Sequence, residues 1–114
     1  MRPRGDEATR RRGLPLRKWG VNEIAWDLRS ARQVAAAATS SGFAIYGGDV
    51  WRREPYQGWH SSGDNWFSER RPGEPWPAFV ERSKRETLAY LGKYHDPEDG
   101  SVKYVLVCQP RPGD

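Results

Sequence analysis

Residues 43–51 of the chain read Phe-Ala-Ile-Tyr-Gly-Gly-Asp-Val-Trp, the pattern of a β-strand interrupted by two glycines. Aromatic and β-branched residues favour strands. Glycine inside a strand marks a bulge, or a place where another part of the molecule comes close to the backbone. We therefore predict a strand over 43–51 with such an irregularity at Gly47 and Gly48.

Helical patterns stand on both sides of this strand. Before it, an alanine-rich run follows Ser30 and Gln33, which have the spacing of a capping box, and Gly42 stands where that helix would end. After it, apolar residues recur every three or four positions from Trp76 to Tyr94. We predict two helices, with Trp76 in the core because it begins the apolar stripe of the second.

Three further strands complete the predicted fold. They span residues 21–26, 65–69 and 102–108, and residues 52–63 form a polar loop. The order strand-helix-strand-strand-helix-strand predicts a single α+β domain. A ferredoxin-like arrangement fits this order: a four-stranded, mainly antiparallel sheet with two helices on one face.

The basic charge of the chain lies in its first residues. The formal net charge is +4, but residues 1–18 hold seven basic and two acidic side chains, which leaves −1 for residues 19–114. Residues 1–17 are rich in Arg, Gly and Pro and lack apolar periodicity, so we expect a disordered leader. The domain is expected over 18–109, with residues 110–114 as a tail.

Composition excludes several classes of protein. A nearly neutral domain lacks the basic face that displaces counterions from nucleic acid, which disfavours nucleic-acid binding. No apolar run approaches the roughly 18 residues that a membrane span needs. The single cysteine, Cys108, and the well-separated His60 and His95 do not supply the ligands of a zinc site. We expect a cytoplasmic protein that uses no metal or cofactor.

Tryptophans and carboxylates are interleaved in residues 47–76. This segment holds four of the six tryptophans. Large aromatic rings among acids are typical of a recognition surface or an acidic cleft. Carboxylates that converge can bind a cation or exchange protons, but the same residues also suit turns and helix starts. No nucleophile with a neighbouring base is evident, so we predict a binding protein and not an enzyme.

Two alternatives stay open at this stage. In the first, the chain is a nucleic-acid-binding module whose Arg-rich leader is an arm and whose sheet aromatics stack on bases. In the second, the acidic residues belong to a metal-dependent hydrolase.

Several segments of the chain match a known pattern in order: Phe43–Trp51, Asp64–Arg70, Gly73-Glu74, Ser83, Tyr90 and Val105–Val107. Together they resemble immunity protein 40, a family of predicted immunity proteins that accompany bacterial polymorphic toxins. The resemblance covers about residues 20–108. It implies a small α+β protein, made in the toxin-producing cell, that binds and neutralises a cognate toxin domain encoded nearby. The sequence departs from the pattern at Pro75, where a helix-capping serine is more usual.

On this resemblance we predict a partner-binding face of five residues: Asp49, Trp51, Asp64, Trp66 and Glu69. The carboxylates would meet basic residues of the toxin and speed the encounter. Trp51 and Trp66 would be the anchors, because buried aromatic rings dominate the energy of many interfaces.

Overall fold

The computed structural model describes residues 13–16 and 23–113, which form five strands and two helices. In chain order these are β1 (Leu14–Pro15), β2 (Ile24–Ala25), α1 (Leu28–Ser40), β3 (Ala44–Glu54), β4 (Gly58–Phe67), α2 (Trp76–Lys93) and β5 (Val102–Gln109). The domain is α+β, as predicted. Within the described residues, neither helix is long and apolar enough to cross a membrane.

The central strand is β3, which lies between β4 and β5 in a three-stranded antiparallel sheet. β3 and β4 form a hairpin, and the pairs Arg52–His60 and Arg53–Trp59 fall in the segment predicted as a polar loop. The prediction of a loop over 52–63 is therefore wrong. Backbone pairing with β3 holds this segment in a strand although most of its side chains are polar.

The glycine pair in β3 is irregular, as predicted. The register of β3 against β5 shifts between Ile45 and Gly47, and Gly47 has a φ of 141°. A Cβ atom on Gly48 would collide with the Trp66 ring and with the Val105 carbonyl oxygen. Glycine is required here because β4 and β5 both come too close to leave room for a side chain.

The start of α1 differs from the prediction. The helix begins at Leu28, and the Asp27 carboxylate accepts the backbone N–H of Ser30 at 2.7 Å. The predicted capping box at Ser30 is wrong because Asp27, an equally good cap, begins the helix three residues earlier. Gly42 follows the end of the helix with a φ of 85°, as predicted.

Both helices pack on one face of the sheet. The cluster between them joins Ala31 of α1 and Leu91 of α2 to Val50, Trp66 and Tyr104 of the three strands. A second cluster extends it along α2 and contains Ala44, Trp76, Phe79 and Val80. Trp76 is therefore in the core, as predicted.

The first predicted strand does not become a fourth strand of this sheet. β2 pairs with β1 in a separate two-stranded ribbon, and the only backbone pairing with the sheet that the described residues show here is one bridge between Trp26, just after β2, and Tyr104. Asp27 starts α1 directly after that bridge, so the chain leaves the edge of β5 at once. Among the described residues the sheet has three strands, and the ferredoxin-like arrangement is not confirmed.

The ribbon covers part of the sheet face that lies opposite the helices. Leu16 and Ala25 are fully buried there against Trp51, Trp59 and Val105. Leu16 falls within the predicted leader, and its burial places the end of that segment in the fold. Residues 1–12, the larger part of the predicted leader, lie outside the described residues.

The segment between β4 and α2 is fixed by a buried arginine. Arg82 donates from Nη2 to the Glu69 carbonyl oxygen at 2.6 Å, from Nε to Glu74 Oε2 at 2.9 Å and from Nη1 to Glu86 Oε1 at 3.1 Å. A buried guanidinium is tolerated when carboxylates pair with it in this way. Ser68 adds a bond from its hydroxyl to Glu86 at 2.7 Å. The chain is thereby held in place as it leaves β4.

We expect Gly48→Ala to destabilise the protein by about 1–3 kcal/mol or more, because the new methyl group would overpack the Trp66 contact. Gly92→Ala is the matched control: nothing lies within 4 Å of a Cβ there, and Gly92 is in α2. That change should stabilise the helix by up to about 1 kcal/mol. Urea unfolding midpoints measure both. A Gly48→Ala protein as stable as the wild type would contradict the described contact.

We also expect Glu74→Gln to reduce the loss of stability in acid. The pKa of Glu74 is lowered from 4.5 to about 2, first by the Arg82 hydrogen bond and next by the backbone N–H of Arg71. Between these values the native state binds fewer protons than the unfolded state. Stability present above pH 4.5 is therefore lost as the pH falls towards 2.

Urea midpoints measured across that pH range should fall more steeply for the wild type than for Glu74→Gln. Glu81→Gln is the control, since Glu81 is exposed on α2, next to Arg82 in the sequence. It should keep the slope of the wild type. Equal slopes for all three proteins would show that the Arg82 contacts do not hold Glu74 ionised.

Candidate functional site

The five residues predicted to form a partner-binding face do not lie on one surface. Trp51 is 7% exposed and Trp66 is 8% exposed, on opposite faces of the sheet. Asp64 is on the helix side of β4, where its carboxylate accepts the Tyr94 hydroxyl. Asp49 and Glu69 remain together at the open part of the other face.

The two tryptophans are built into the packing of the domain. Trp51 lies beneath the β1–β2 ribbon in the cluster that contains Trp59. Trp66 stacks on Tyr90 at 4.6 Å between ring centroids and donates from Nε1 to the Thr87 hydroxyl at 3.1 Å. Both rings are therefore almost fully covered in this structure.

Asp64 belongs to a polar group beside the C-terminal end of α2. The Tyr94 hydroxyl donates to Asp64 Oδ2 at 2.8 Å and accepts from Arg52 Nη2 at 2.5 Å. Burial raises the pKa of the Tyr94 hydroxyl, and the bond to Asp64 raises it further. Asp64 is thus engaged with its own domain and lies away from Asp49 and Glu69.

The open part of the sheet is centred on Gly47. In the antiparallel register Gly47 stands opposite Phe67 of β4 on one side and opposite Val107 of β5 on the other. Directly paired residues point to the same face of a sheet, so two apolar side chains flank a position that has none. The result is a shallow depression of about 270 Å³. Its lining includes Gly47, Gly48, Asp49, Phe67, Glu69 and Val107.

Phe67 is the functional candidate that the sequence pattern did not reveal. Its side chain is 79% exposed, although it adjoins the buried Trp66. Successive residues of a strand point to opposite faces. Once Trp66 is assigned to the helix side, Phe67 must point to the open side. That alternation is the signal from which Phe67 could have been found.

The depression has a negative rim. No salt bridge or side-chain hydrogen bond involves the carboxylates of Asp49 and Glu69 within residues 13–16 and 23–113. Burial raises the pKa of Glu23, and the negative charge of nearby Asp49 raises it further. Glu74 and Glu86, in contrast, are paired with Arg82. Among the described residues, the open face therefore presents negative charge without a paired cation around an exposed ring.

The structure also shows where the candidate metal ligands, the Cys108 thiol and the predicted carboxylates lie. In the part of the chain that the structure describes, no three His, Cys, Asp or Glu side chains are grouped closely enough to hold a metal ion. Burial raises the pKa of the Cys108 thiol to about 11, so this thiol is protonated at neutral pH. Asp49, Asp64 and Glu69 do not converge on a common point, since Asp64 is on the other side of the sheet.

Comparison with known protein families gives a match over most of the chain. The model of a family described as immunity protein 40 matches residues 15–108, which include both sheets and both helices. The match starts within β1, so it covers the ribbon as well as the larger sheet. No curated protein and no solved structure matches the chain.

Proposed function

Because the chain belongs to the immunity protein 40 family, we propose that it binds a cognate toxin domain and neutralises it by covering the toxin's active site. The toxin is a bacterial polymorphic toxin encoded nearby, and the two proteins meet in the cytoplasm of the cell that makes them. Occlusion needs a complementary surface and no reacting group. The proposed action is therefore binding, without catalysis by this chain.

Exposed Phe67 is the observation that carries the choice of surface. Phe67 is 79% exposed at the end of a paired strand, so its ring leaves an apolar surface in contact with water. A partner can cover that surface. Aromatic residues with this placement are frequent hot spots, because they bring large area at a low cost in conformational entropy. Val107 extends the apolar area across Gly47.

Negative charge on the rim suits a basic partner. Asp49 and Glu69 lie at the depression, and Glu23 is close enough to Asp49 for their charges to interact. A toxin that acts on a negatively charged substrate needs a basic active site, and acids on this face would attract it and speed association.

We propose a revised set of contacts on this basis. Asp49 and Glu69 keep the predicted role of charged contacts. Phe67 becomes the aromatic anchor in place of Trp51 and Trp66, whose rings support the sheet from either side.

The test of function is co-expression with the protein encoded next to this chain. The wild type should form a complex with that protein and restore growth to cells in which it is toxic. Phe67→Asp should weaken the complex by at least about 2 kcal/mol, roughly 30-fold in Kd, and reduce rescue. Isothermal titration calorimetry measures the change in Kd, and growth curves measure the loss of rescue.

Tyr56→Asp is the matched control. Tyr56 is fully exposed in the turn between β3 and β4, away from the depression. This variant should bind and rescue like the wild type, and both variants should unfold at the temperature of the wild type. Wild-type affinity in a folded Phe67→Asp protein would rule out the proposed surface. Absence of both complex and rescue with the wild type would rule out the proposed function.

A further inference from the structure

We propose that the depression between Phe67 and Val107 receives an arginine side chain of the partner. The guanidinium would lie on the Phe67 ring and pair with Asp49 and Glu69. This inference rests on the proposed function, since it identifies the chemistry that the toxin domain presents to the same surface.

The size of the depression suits a side chain. Neighbouring strands are about 4.8 Å apart, so Phe67 and Val107 stand roughly 10 Å from each other across Gly47. The volume of about 270 Å³ is below the roughly 300–1,000 Å³ of pockets that hold whole small molecules. The Val107 side chain and the Cα atom of Gly47 form an apolar surface. The methylene groups of a long cationic side chain can pack on it.

Elsewhere in the molecule, the guanidinium of Arg82 lies among groups of the same kind. Arg82 pairs with two carboxylates, Glu74 and Glu86, and lies over the Phe79 ring at 5.2 Å from its centroid. The depression presents the same three groups in Asp49, Glu69 and Phe67. Among the described residues no cation pairs with those two carboxylates.

Arginine fits this set better than lysine does. The planar guanidinium has five donors in a fixed fork, so it can engage two carboxylates at once while its face stacks on an aromatic ring. A lysine ammonium is a compact, strongly hydrated charge. Removing its hydration next to an apolar surface costs more free energy than removing that of a guanidinium. Two acids flanking an exposed phenylalanine therefore favour a guanidinium.

The test is an NMR titration of the full-length protein with acetyl-Gly-Arg-Gly-amide. The same peptide with citrulline in place of arginine is the control, because citrulline keeps the shape and lacks the charge. We expect the arginine peptide to shift the amides of Gly47, Phe67 and Glu69. It should bind at least about tenfold more tightly than the citrulline peptide, since hydrogen bonds to charged groups contribute more than neutral ones.

Asp49→Asn and Glu69→Gln should each weaken the binding of the arginine peptide. The affinity for the citrulline peptide should stay the same. The proposal is overturned if the arginine peptide shifts none of these amides, or if both peptides bind equally. It is also overturned if the peptide binds only after Arg10→Gln, Arg11→Gln and Arg12→Gln are combined in the full chain. The occupant would then be the chain's own basic segment.

Toxin binding is scored separately from peptide binding. A protein that rescues growth but takes up no arginine peptide would retain the proposed function and lose only the guanidinium contact. A protein that takes up the peptide but neither binds the toxin nor rescues growth would lose the proposed function, and the depression would remain an arginine site.

Discussion

The contact between the Trp66 indole and the backbone of Gly48 determines how the rest of the domain is arranged. The ring occupies the space that a side chain at position 48 would need, and it reaches α2 through Tyr90 and Thr87. This contact fixes which side of β4 faces the helices. Because side chains alternate along a strand, it also turns Phe67 outward. The packing of the core thus produces the exposed ring on the opposite face.

Local patterns in the sequence were sufficient for some elements. The apolar stripe of α2 and the β3 strand depend on neighbouring residues, and the structure confirms them. The glycine pair in the β3 pattern also indicated a close approach, which the structure confirms, although β4 and β5 are the segments that come close. The polar half of the β3–β4 hairpin and the β1–β2 ribbon depend on backbone pairing between distant segments. Hydrophobic periodicity carries no information about such pairing. For this reason the sequence predicts a loop over residues 52–63 and a leader that includes Leu16.

The same limit applies to the candidate functional site. Tryptophans among carboxylates indicated a recognition surface, but the sequence does not state which faces of the sheet are covered. The helices cover Trp66, and the short ribbon covers Trp51. What stays open is the part of the sheet where Gly47 has no side chain between Phe67 and Val107. Two of the predicted contacts, Asp49 and Glu69, lie at that place, and their charge does not depend on the packing.

Hydroxyl-radical footprinting of the protein, alone and bound to the proposed toxin partner, tests the central claim most directly. Phe67 and Tyr56 are both exposed, while Trp51 and Trp66 are buried. In the free protein, the account predicts rapid oxidation of Phe67 and Tyr56 and slow oxidation of both tryptophans. In the complex, Phe67 should be protected while Tyr56 reacts as before. Unchanged oxidation of Phe67 in a complex that protects Tyr56 would show that the toxin binds another surface.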